Sequence, residues 1–492
     1  MIVPSAFESA SREDLLTVIG LLQRQVKAAE ARAEAAEAQA AELAAATERL
    51  TVRVAELERR LGRNSSNSSM PPSSDTFGRP EKKAAPKSGR KRGRQPGAGS
   101  SGLSMTADPD VVEEYLPAAC SGCGSGLGPG DSVGFERRQV RDIPLTTVTV
   151  TEHRAHRCRC ACGTVTTEAM PETVAGSPSS YGPNLRTLAV YLLVFQHIPV
   201  ERTALLLCDV TGVGVSTGWV ASLLPEAADL VEDSLNLIRA LLTMGHVLHA
   251  DETTTRIGSV RRWLHVACTD FLTLLHLAPR SRTGADAGGV LPHYRGVLVH
   301  DSLSLYAGYG ACTHQLCGAH LIRELTAAEE DFPDQNWHQQ IRWSLAGLNR
   351  QALRVRSGEI TEIAPGALLL YYEAFHRGIA VGLSLHPKVE GRKQSPARNL
   401  LTRLREQAHH VLRFADDPLH VPFTNNCGER ALRPVKTQLK ISGCHQSEAG
   451  ATAWLGVRSY LDSARKHGLN AFEAIHRAFT GNLWMPPIAQ LP

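Results

Sequence analysis

The first clear pattern in the chain is a run of apolar residues at alternating spacings of three and four between Leu15 and Leu61. This spacing places the apolar side chains on one face of a helix and is typical of a coiled coil. The middle of the run is rich in alanine, which buries little area, so a weak coiled coil or a helix folded back on the protein also fits. We predict a coiled-coil helix over residues 1–63 that makes a homo-oligomer; the alternative is a single solvated helix.

A second pattern, short apolar runs of strand composition, dominates residues 243–330. Residues 247–251 and 296–301 each stop at an aspartate, Asp251 and Asp301. Between them the pattern predicts strands at 262–269 and 271–278 and a short helix at 284–291. The order strand, strand, strand, helix, strand predicts an RNase H-like core, in which the first and fourth strands lie side by side. Asp251 and Asp301 would then meet at one end of the sheet.

Two carboxylates held together repel each other unless a cation lies between them, and hard oxygen ligands of this kind suit magnesium or manganese. The best candidate for a third acid is Glu429, where Thr424 or a neighbouring Asn can cap a helix whose first turn carries the carboxylate. Glu324 is the alternative third acid. Glu252, the next residue after Asp251, should point elsewhere because side chains alternate along a strand.

Three features together resemble a known family. The two strand-end aspartates, residues 317–325 (CGAHLIREL) and the NNxxERxxRP block at 425–434 are similar to insertion-sequence transposases of the IS66 type, which belong to the DDE class. The similarity runs through nearly the whole chain. It implies that the protein binds the terminal repeats of its element, cleaves DNA there and joins the freed 3'-hydroxyls to target DNA.

The same resemblance implies how the site residues divide the work. Two Mg²⁺ or Mn²⁺ ions per active site would be held by Asp251, Asp301 and Glu429, which are also the catalytic residues. The similar Cys-x-x-His region of related transposases lies near the active site, so we expect a supporting role beside the acids. The residues expected there are Cys317, His320 and Arg323.

The eleven cysteines are expected to be thiols or metal ligands, because a reducing compartment disfavours disulfides. Cys120 and Cys123 have the spacing of a zinc knuckle, and further cysteines return after strand-like segments at 136–140 and 146–153. Four thiolates would close a structural Zn²⁺ site and hold together a small module at 111–175. Similarity to the family selects Cys160 and Cys162 as the second pair. The alternatives are Cys158, His153 and His156.

The net charge of +4 says little about partners, but its distribution says more. A linker at 64–110, rich in Ser, Asn, Pro and Gly, carries seven basic residues and no acid at 82–94, which suits contact with phosphates. A solvated linker is the alternative. A second basic set follows Glu429. The DNA-contact candidates are Lys82, Lys83, Lys87, Arg90, Lys91, Arg92, Arg94, Arg430, Arg433, Lys436 and Lys440.

Helical patterns fill most of the remaining chain. Residues 176–242 contain a helix, a Gly-containing turn and a capped second helix, the shape of a helix-turn-helix, although Trp219 is expected in the core. Residues 331–415 predict an inserted helical subdomain, and 416–492 complete the core. The predicted fold is thus multidomain α+β: a coiled coil, a small zinc-binding module, a helical DNA-binding region and an RNase H-like α/β catalytic core with a helical insertion.

Other functions fit the composition less well. No run approaches about 18 apolar residues and the N-terminus lacks a signal-peptide layout, so we expect a cytoplasmic, nucleoid-associated protein with no membrane partner. A glycosidase is disfavoured because aromatic residues make up only 5% and none cluster beside the acids. The remaining alternative is a non-catalytic DNA-binding or assembly protein derived from a transposase. Accessory proteins of the element are further candidate partners.

Overall fold

A computed structural model describes residues 11–61, 63, 105–141, 148–170 and 179–488. The basic residues at 82–94 that were predicted to contact DNA lie outside this part of the chain. Among the described helices, none is both long and apolar enough to cross a membrane.

The first helix, α1, spans Arg12–Leu61. It begins at a capping box, in which the Ser11 hydroxyl accepts the Asp14 N–H at 3.2 Å and the Asp14 carboxylate accepts the Ser11 N–H at 3.2 Å. The apolar positions of the predicted seam, such as Leu22 and Leu50, are exposed along the helix. An exposed apolar seam is what a coiled coil needs from each chain, and pairing through α1 stays a prediction.

The segment that contains the five N-terminal cysteines has little regular structure. Strand β1 (Arg157–Arg159) pairs antiparallel with β2 (Val165–Thr167). The prediction of strands at 136–140 and 146–153 is not met for the described residues, since 136–140 and 148–153 belong to no strand. These stretches are almost entirely exposed, so no packed face holds them in a sheet.

A five-stranded mixed sheet carries the two predicted aspartates. Its strand order is β5-β4-β3-β6-β7. Strand β4 pairs antiparallel with both β3 and β5, and β6 pairs parallel with both β3 and β7. The predicted adjacency of the first and fourth strands is confirmed. The strands are β3 Val247–Ile257, β4 Val260–Cys268, β5 Thr273–Leu277, β6 Val297–His300 and β7 Thr313–Leu316.

The prediction that the first strand stops at Asp251 is wrong. Strand β3 continues to Ile257, because residues 252–257 pair with 260–265 of β4 across a hairpin turn at Gly258, whose φ is +55°. Thr253 and Thr255 are β-branched and buried, which favours a longer strand. Asp251 therefore lies in the middle of a strand, whereas Asp301 directly follows the end of β6.

Helices cover both faces of the sheet. On one face, Leu248, Ala250 and Leu298 pack with Tyr294 and Tyr306. On the other face, a separate core joins β4 and β5 to helices that precede β3 in the sequence and to helices that follow residue 425. The helices on the two faces are α2 Pro183–Val190, α3 Val200–Thr211, α4 Thr217–Leu230, α5 Glu232–Met244, α6 Arg282–Asp286, α7 Ser304–Ala307, α13 Asn426–Ile441, α14 Glu448–Lys466 and α15 Ala471–Phe479.

The predicted helix-turn-helix is formed by α3 and α4. The Ser216 hydroxyl caps α4 by accepting the Trp219 N–H at 3.1 Å, and the Trp219 ring rests 4.4 Å from that of Tyr181. Both helices share one core with α14 and α15, so this region is packed into the body of the protein. DNA contact by these helices stays a prediction.

A third hydrophobic core is formed by the helices that lie between β7 and α13 in the sequence. Trp337, Leu345, Phe375 and Phe414 are fully buried there, together with Leu325 of the helix that follows β7. The first of the five helices, which ends at Asp331, belongs to the predicted first part of the core (243–330), and the other four cover the stretch 331–415 predicted as a helical insertion. The five helices are α8 Gly318–Asp331, α9 Trp337–Arg356, α10 Pro365–Leu385, α11 Pro396–Glu406 and α12 Ala408–Asp416.

The free edge of the sheet is covered by serines of α14. The Ser459 hydroxyl accepts the Leu275 N–H at 2.9 Å, and the Ser463 hydroxyl accepts the Thr273 N–H at 2.9 Å. All of these groups are buried, so two backbone donors of the edge strand β5 depend on side chains of a distant helix.

We expect Ser459→Ala to lower the free energy of unfolding by about 1–3 kcal/mol, because the Leu275 N–H would stay buried without an acceptor. Urea or thermal unfolding of the full chain measures this loss. The matched control is Ser222→Ala, which removes an exposed serine hydroxyl bonded to a helix carbonyl. Equal small losses in the two variants would show that α14 does not hold the edge strand through this bond.

Candidate functional site

Asp251 and Asp301 lie on neighbouring parallel strands. Asp251 lies beside the first turn of α13, where a Cβ added to Gly428 would lie 3.3 Å from the Asp251 Cβ. Its Oδ1 accepts the Glu252 N–H at 2.8 Å. Asp301 follows β6, and its Oδ1 accepts the Leu303 N–H at 2.9 Å. Each carboxylate thus has one backbone donor, which leaves acceptor capacity for a further partner.

Burial and like charge dominate the electrostatics here. Burial, followed by the charges of Glu252 and Asp301, raises the pKa of Asp251 well above its usual range, and the charge of Glu429 adds to the rise. Burial and then the Glu252 charge raise the pKa of Asp301 to about 6. The charges of both predicted partners therefore act on Asp251, and we refer to Asp251, Asp301 and Glu429 together as the acid cluster. Among the described residues, the groups of three possible ligands whose ligand atoms lie within 4.8 Å of one another do not include this set, so its closure around an ion stays a prediction.

Glu429 is in the first turn of α13, as predicted, but the predicted side-chain cap is absent. The Asn425 side chain at the cap position instead donates to the Ala250 carbonyl at 2.9 Å and shares a hydrogen bond of 2.9 Å with His249. This buried amide fastens the start of α13 to β3 one residue from Asp251. It fixes where the Glu429 carboxylate projects.

The three residues expected to support the site lie beside Glu429. The Glu429 Oε1 is 3.6 Å from Arg323 Nη2 and 4.0 Å from His320 Nδ1, and the Cys317 thiol belongs to the same group. Burial, then the charges of Arg323 and Arg403, lowers the pKa of His320 to about 4, so its imidazole is neutral near neutral pH. Their placement is observed; their roles stay predictions.

The two competing acids have other partners. Glu252 accepts the Tyr306 hydroxyl at 2.8 Å and pairs with Arg280 at 2.8 Å, on the face of β3 opposite Asp251. Glu324 pairs with Arg403 of α11. The sequence pattern gave no sign of Arg280 or Tyr306, because neither belongs to a motif or follows a periodic position. Arg280 and Tyr306 both bind the Glu252 carboxylate, and the charge of this carboxylate raises the pKa of Asp251 and of Asp301.

The basic residues after Glu429 follow one side of α13. Arg430, Arg433 and Lys440 are exposed and Lys436 is half-buried, while the opposite side of the helix is packed in the core. A cationic face therefore begins one residue after the third acid. It lies where a polyanion approaching the acid cluster would need its charge offset.

The predicted zinc cysteines lie in two turns that differ in length by one residue. The Cys120 carbonyl accepts the Gly124 N–H at 2.9 Å, and the Cys160 carbonyl accepts the Gly163 N–H at 2.9 Å. The Cys123 and Cys162 thiols hydrogen-bond to the hydroxyl oxygens of Ser125 and Thr164, and these contacts lower the pKa of each thiol to about 7.

The two turns do not form one cluster in this structure. Within the described ranges, the groups of three or more ligand atoms lying within 4.8 Å of one another include none of these cysteines. Cys158 lies in β1, opposite Thr166. Pairing of Cys160 with Cys162 fits the turn geometry, and a shared Zn²⁺ stays a prediction.

The raised pKa of Asp301 predicts a stability gain for Asp301→Asn in metal-free protein. With a pKa of about 6 instead of 3.8, the folded chain holds the proton more tightly than the unfolded chain, so stability falls as pH rises from about 4 to 6. At about pH 7.5 in EDTA the variant should be more stable by at most about 3 kcal/mol, and the gain should vanish near about pH 4. Urea unfolding at both pH values measures it; a less stable variant at the higher pH would contradict the raised pKa.

Two family models match the chain. The model described as "Transposase IS66 family" covers residues 178–453, which include the sheet, the acid cluster and the inserted helices. A model of a family of unknown function, DUF6444, covers residues 22–102, most of α1 and the basic linker. No curated protein matches the chain. Because the first match spans more than half of its 492 residues, the chain belongs to the IS66 transposase family.

Proposed function

We propose that this protein is a DDE transposase that binds the ends of its insertion sequence and catalyses metal-dependent DNA strand cleavage and strand transfer. Asp251, Asp301 and Glu429 would be its catalytic residues. The observation that carries the proposal is the position of Asp251 on β3 and of Asp301 at the end of the adjoining β6, where burial and like charge raise the pKa of both aspartates. The strand order around it supports the RNase H-like core predicted from the sequence.

The acid cluster suits divalent cations. The nearby guanidinium of Arg280 is engaged by Glu252, and Arg323 lies 3.6 Å from only one of the three acids, Glu429. The buried negative charge is therefore incompletely offset by the protein, which a hard cation with oxygen ligands would remedy. Mg²⁺ or Mn²⁺, two per site, is the proposed cofactor.

The scaffold would hold each acid in a fixed position. Asp251 on β3 and Asp301 after β6 stand on paired strands, so their separation is set by backbone hydrogen bonds. Glu429 is positioned by the attachment of Asn425 to β3. Asp251, Asp301 and Glu429 would hold the ions, which when bound would supply Lewis-acid activation of water or a 3'-hydroxyl and charge stabilisation of the leaving oxygen. The basic face of α13 would hold the phosphates on either side of the scissile bond.

Further parts of the proposal concern assembly and location. DNA, both terminal repeats and target, would be bound additionally by residues 82–94. Helix α1 would pair chains into a homo-oligomer, and Cys120, Cys123, Cys160 and Cys162 would hold a structural Zn²⁺. Accessory proteins of the element complete the set of proposed partners. A protein with this substrate would work in the cytoplasm at the nucleoid.

Metal-dependent cleavage of DNA that carries the element's own ends tests the proposal. We expect Asp251→Asn, Asp301→Asn and Glu429→Gln each to reduce cleavage in Mg²⁺ or Mn²⁺ to background while DNA binding persists, since each removes a charged ligand and keeps the side-chain shape.

The matched control is Glu324→Gln, an acid on α8 that is paired with Arg403. This variant should keep cleaving. Cleavage that survives Glu429→Gln and is lost in Glu324→Gln would move the third acid to α8. Tight DNA binding without cleavage by the parent protein would instead favour a non-catalytic protein derived from a transposase.

A further inference from the structure

Two buried polar atoms beside the acid cluster have no hydrogen-bond partner. Within the described part of the chain, they are Nδ1 of His320 and Oε1 of Glu429, itself a member of the acid cluster; the two atoms face each other at 4.0 Å, and Arg323 Nη2 lies 3.6 Å from the Glu429 oxygen, beyond hydrogen-bond distance. The third member of the group, the Cys317 thiol, is 1% exposed. Buried polar atoms without partners are costly, and each calls for an explanation such as a bound ion.

The other group of three possible metal ligands differs in this respect. His246, Asp417 and His420 satisfy one another, with His246 Nε2 and His420 Nδ1 lying 3.1 Å and 2.8 Å from the Asp417 carboxylate oxygens. That group is also largely exposed to solvent. It is therefore complete without an ion, whereas the group of Cys317, His320 and Glu429 is not.

The geometry of the buried group suits a single ion. One ligand atom from each residue lies within 4.8 Å of the other two. Zn²⁺ binds at roughly 2.3 Å to sulfur and at roughly 2.0–2.2 Å to nitrogen and oxygen, so tetrahedral ligands lie roughly 3.5 Å apart. Binding would need a contraction of about 1 Å, within the reach of side-chain rotation for two residues in first helical turns.

We propose that Cys317, His320 and Glu429 form a binding site for a zinc-class divalent cation, distinct from the ions held between Asp251 and Asp301. Thiolate and imidazole select borderline-soft metals over Mg²⁺, and three protein ligands leave a fourth position for water. The site would join the first turn of α8 to the first turn of α13. In the proposed function, Glu429 also binds the catalytic ions, so the statement that the two sites share this carboxylate rests on that proposal.

Some neighbouring groups favour a cation at this site and others disfavour it. Burial raises the pKa of the Cys317 thiol, and the Asn425 N–H, which donates to its sulfur at 3.2 Å, partly opposes that rise. Arg323 lies 3.6 Å from the Glu429 Oε1, and Arg403, paired with Glu324, contributes a second positive charge. A thiolate and a carboxylate together offset the two charges of the ion, so the arginines lower its affinity without excluding it.

Cobalt titration of the metal-free full chain tests the site, because Co²⁺ replaces zinc and gives an absorption band when bound to a thiolate. We expect the parent protein to bind one equivalent more than Cys317→Ser or His320→Asn, with a matching loss of thiolate absorption in Cys317→Ser. Cysteines elsewhere contribute equally to all three proteins, so the difference isolates this site. The control is Cys208→Ser, an exposed thiol on α3, which should bind as the parent does.

Equal cobalt stoichiometry and equal thiolate absorption in the parent and in both variants would overturn the proposal. Thermal unfolding checks that each variant is folded; His320→Asn decides the stoichiometry if Cys317→Ser does not fold. Asp251→Asn separates this site from the catalytic proposal, since it should lose cleavage and keep the full cobalt signal. Cobalt binding at this site without cleavage by the parent would leave the ion site intact and refute the proposed function.

Discussion

Repulsion between buried carboxylates is the constraint on which this structure depends. Asp251 and Asp301 are brought together by strand pairing, and the field of Glu252 adds to the unfavourable charge at both. A fold tolerates such a cluster only if the surrounding packing fixes the strands and the helix that carry it, because separation of the acids would relieve the strain. A cation bound between the acids, as the proposed function requires, would relieve the same repulsion.

The scaffold resists this repulsion through contacts far apart in sequence. Parallel pairing fixes β3 against β6, and the buried Asn425 amide holds α13 against β3. At the other edge of the sheet, Ser459 and Ser463 of α14 supply hydrogen-bond acceptors to β5. The strands β3 and β6 pair across 50 residues of sequence, and the Asn425, Ser459 and Ser463 contacts each span more than a hundred, so the site forms only when distant segments of the core have come together.

Helices α8 and α11 also take part in building the site. Helix α8 begins at the end of β7 and brings Cys317 and His320 to Glu429, while Arg403 of α11 engages the competing acid Glu324. The contacts of α8 and α11 thus leave Glu324 paired with Arg403 and Glu429 beside His320 and Arg323.

The sequence by itself determined the main elements around the acids: apolar patterns predicted the strands that carry Asp251 and Asp301 and the long first helix, and the order of elements predicted that the two strands are adjacent, because these depend on local patterns and simple topology. It did not determine the strands expected at 136–140 and 146–153, which the described residues do not form. Tertiary structure alone decided that β3 runs on past Asp251, that Asn425 bonds to β3 instead of capping α13, and that Arg280 and Tyr306 hold Glu252. Those outcomes depend on which buried polar groups meet across distant segments. The residue pattern of one segment does not predict such contacts, because a buried hydrogen bond or ion pair gains its strength only when the surrounding core excludes water.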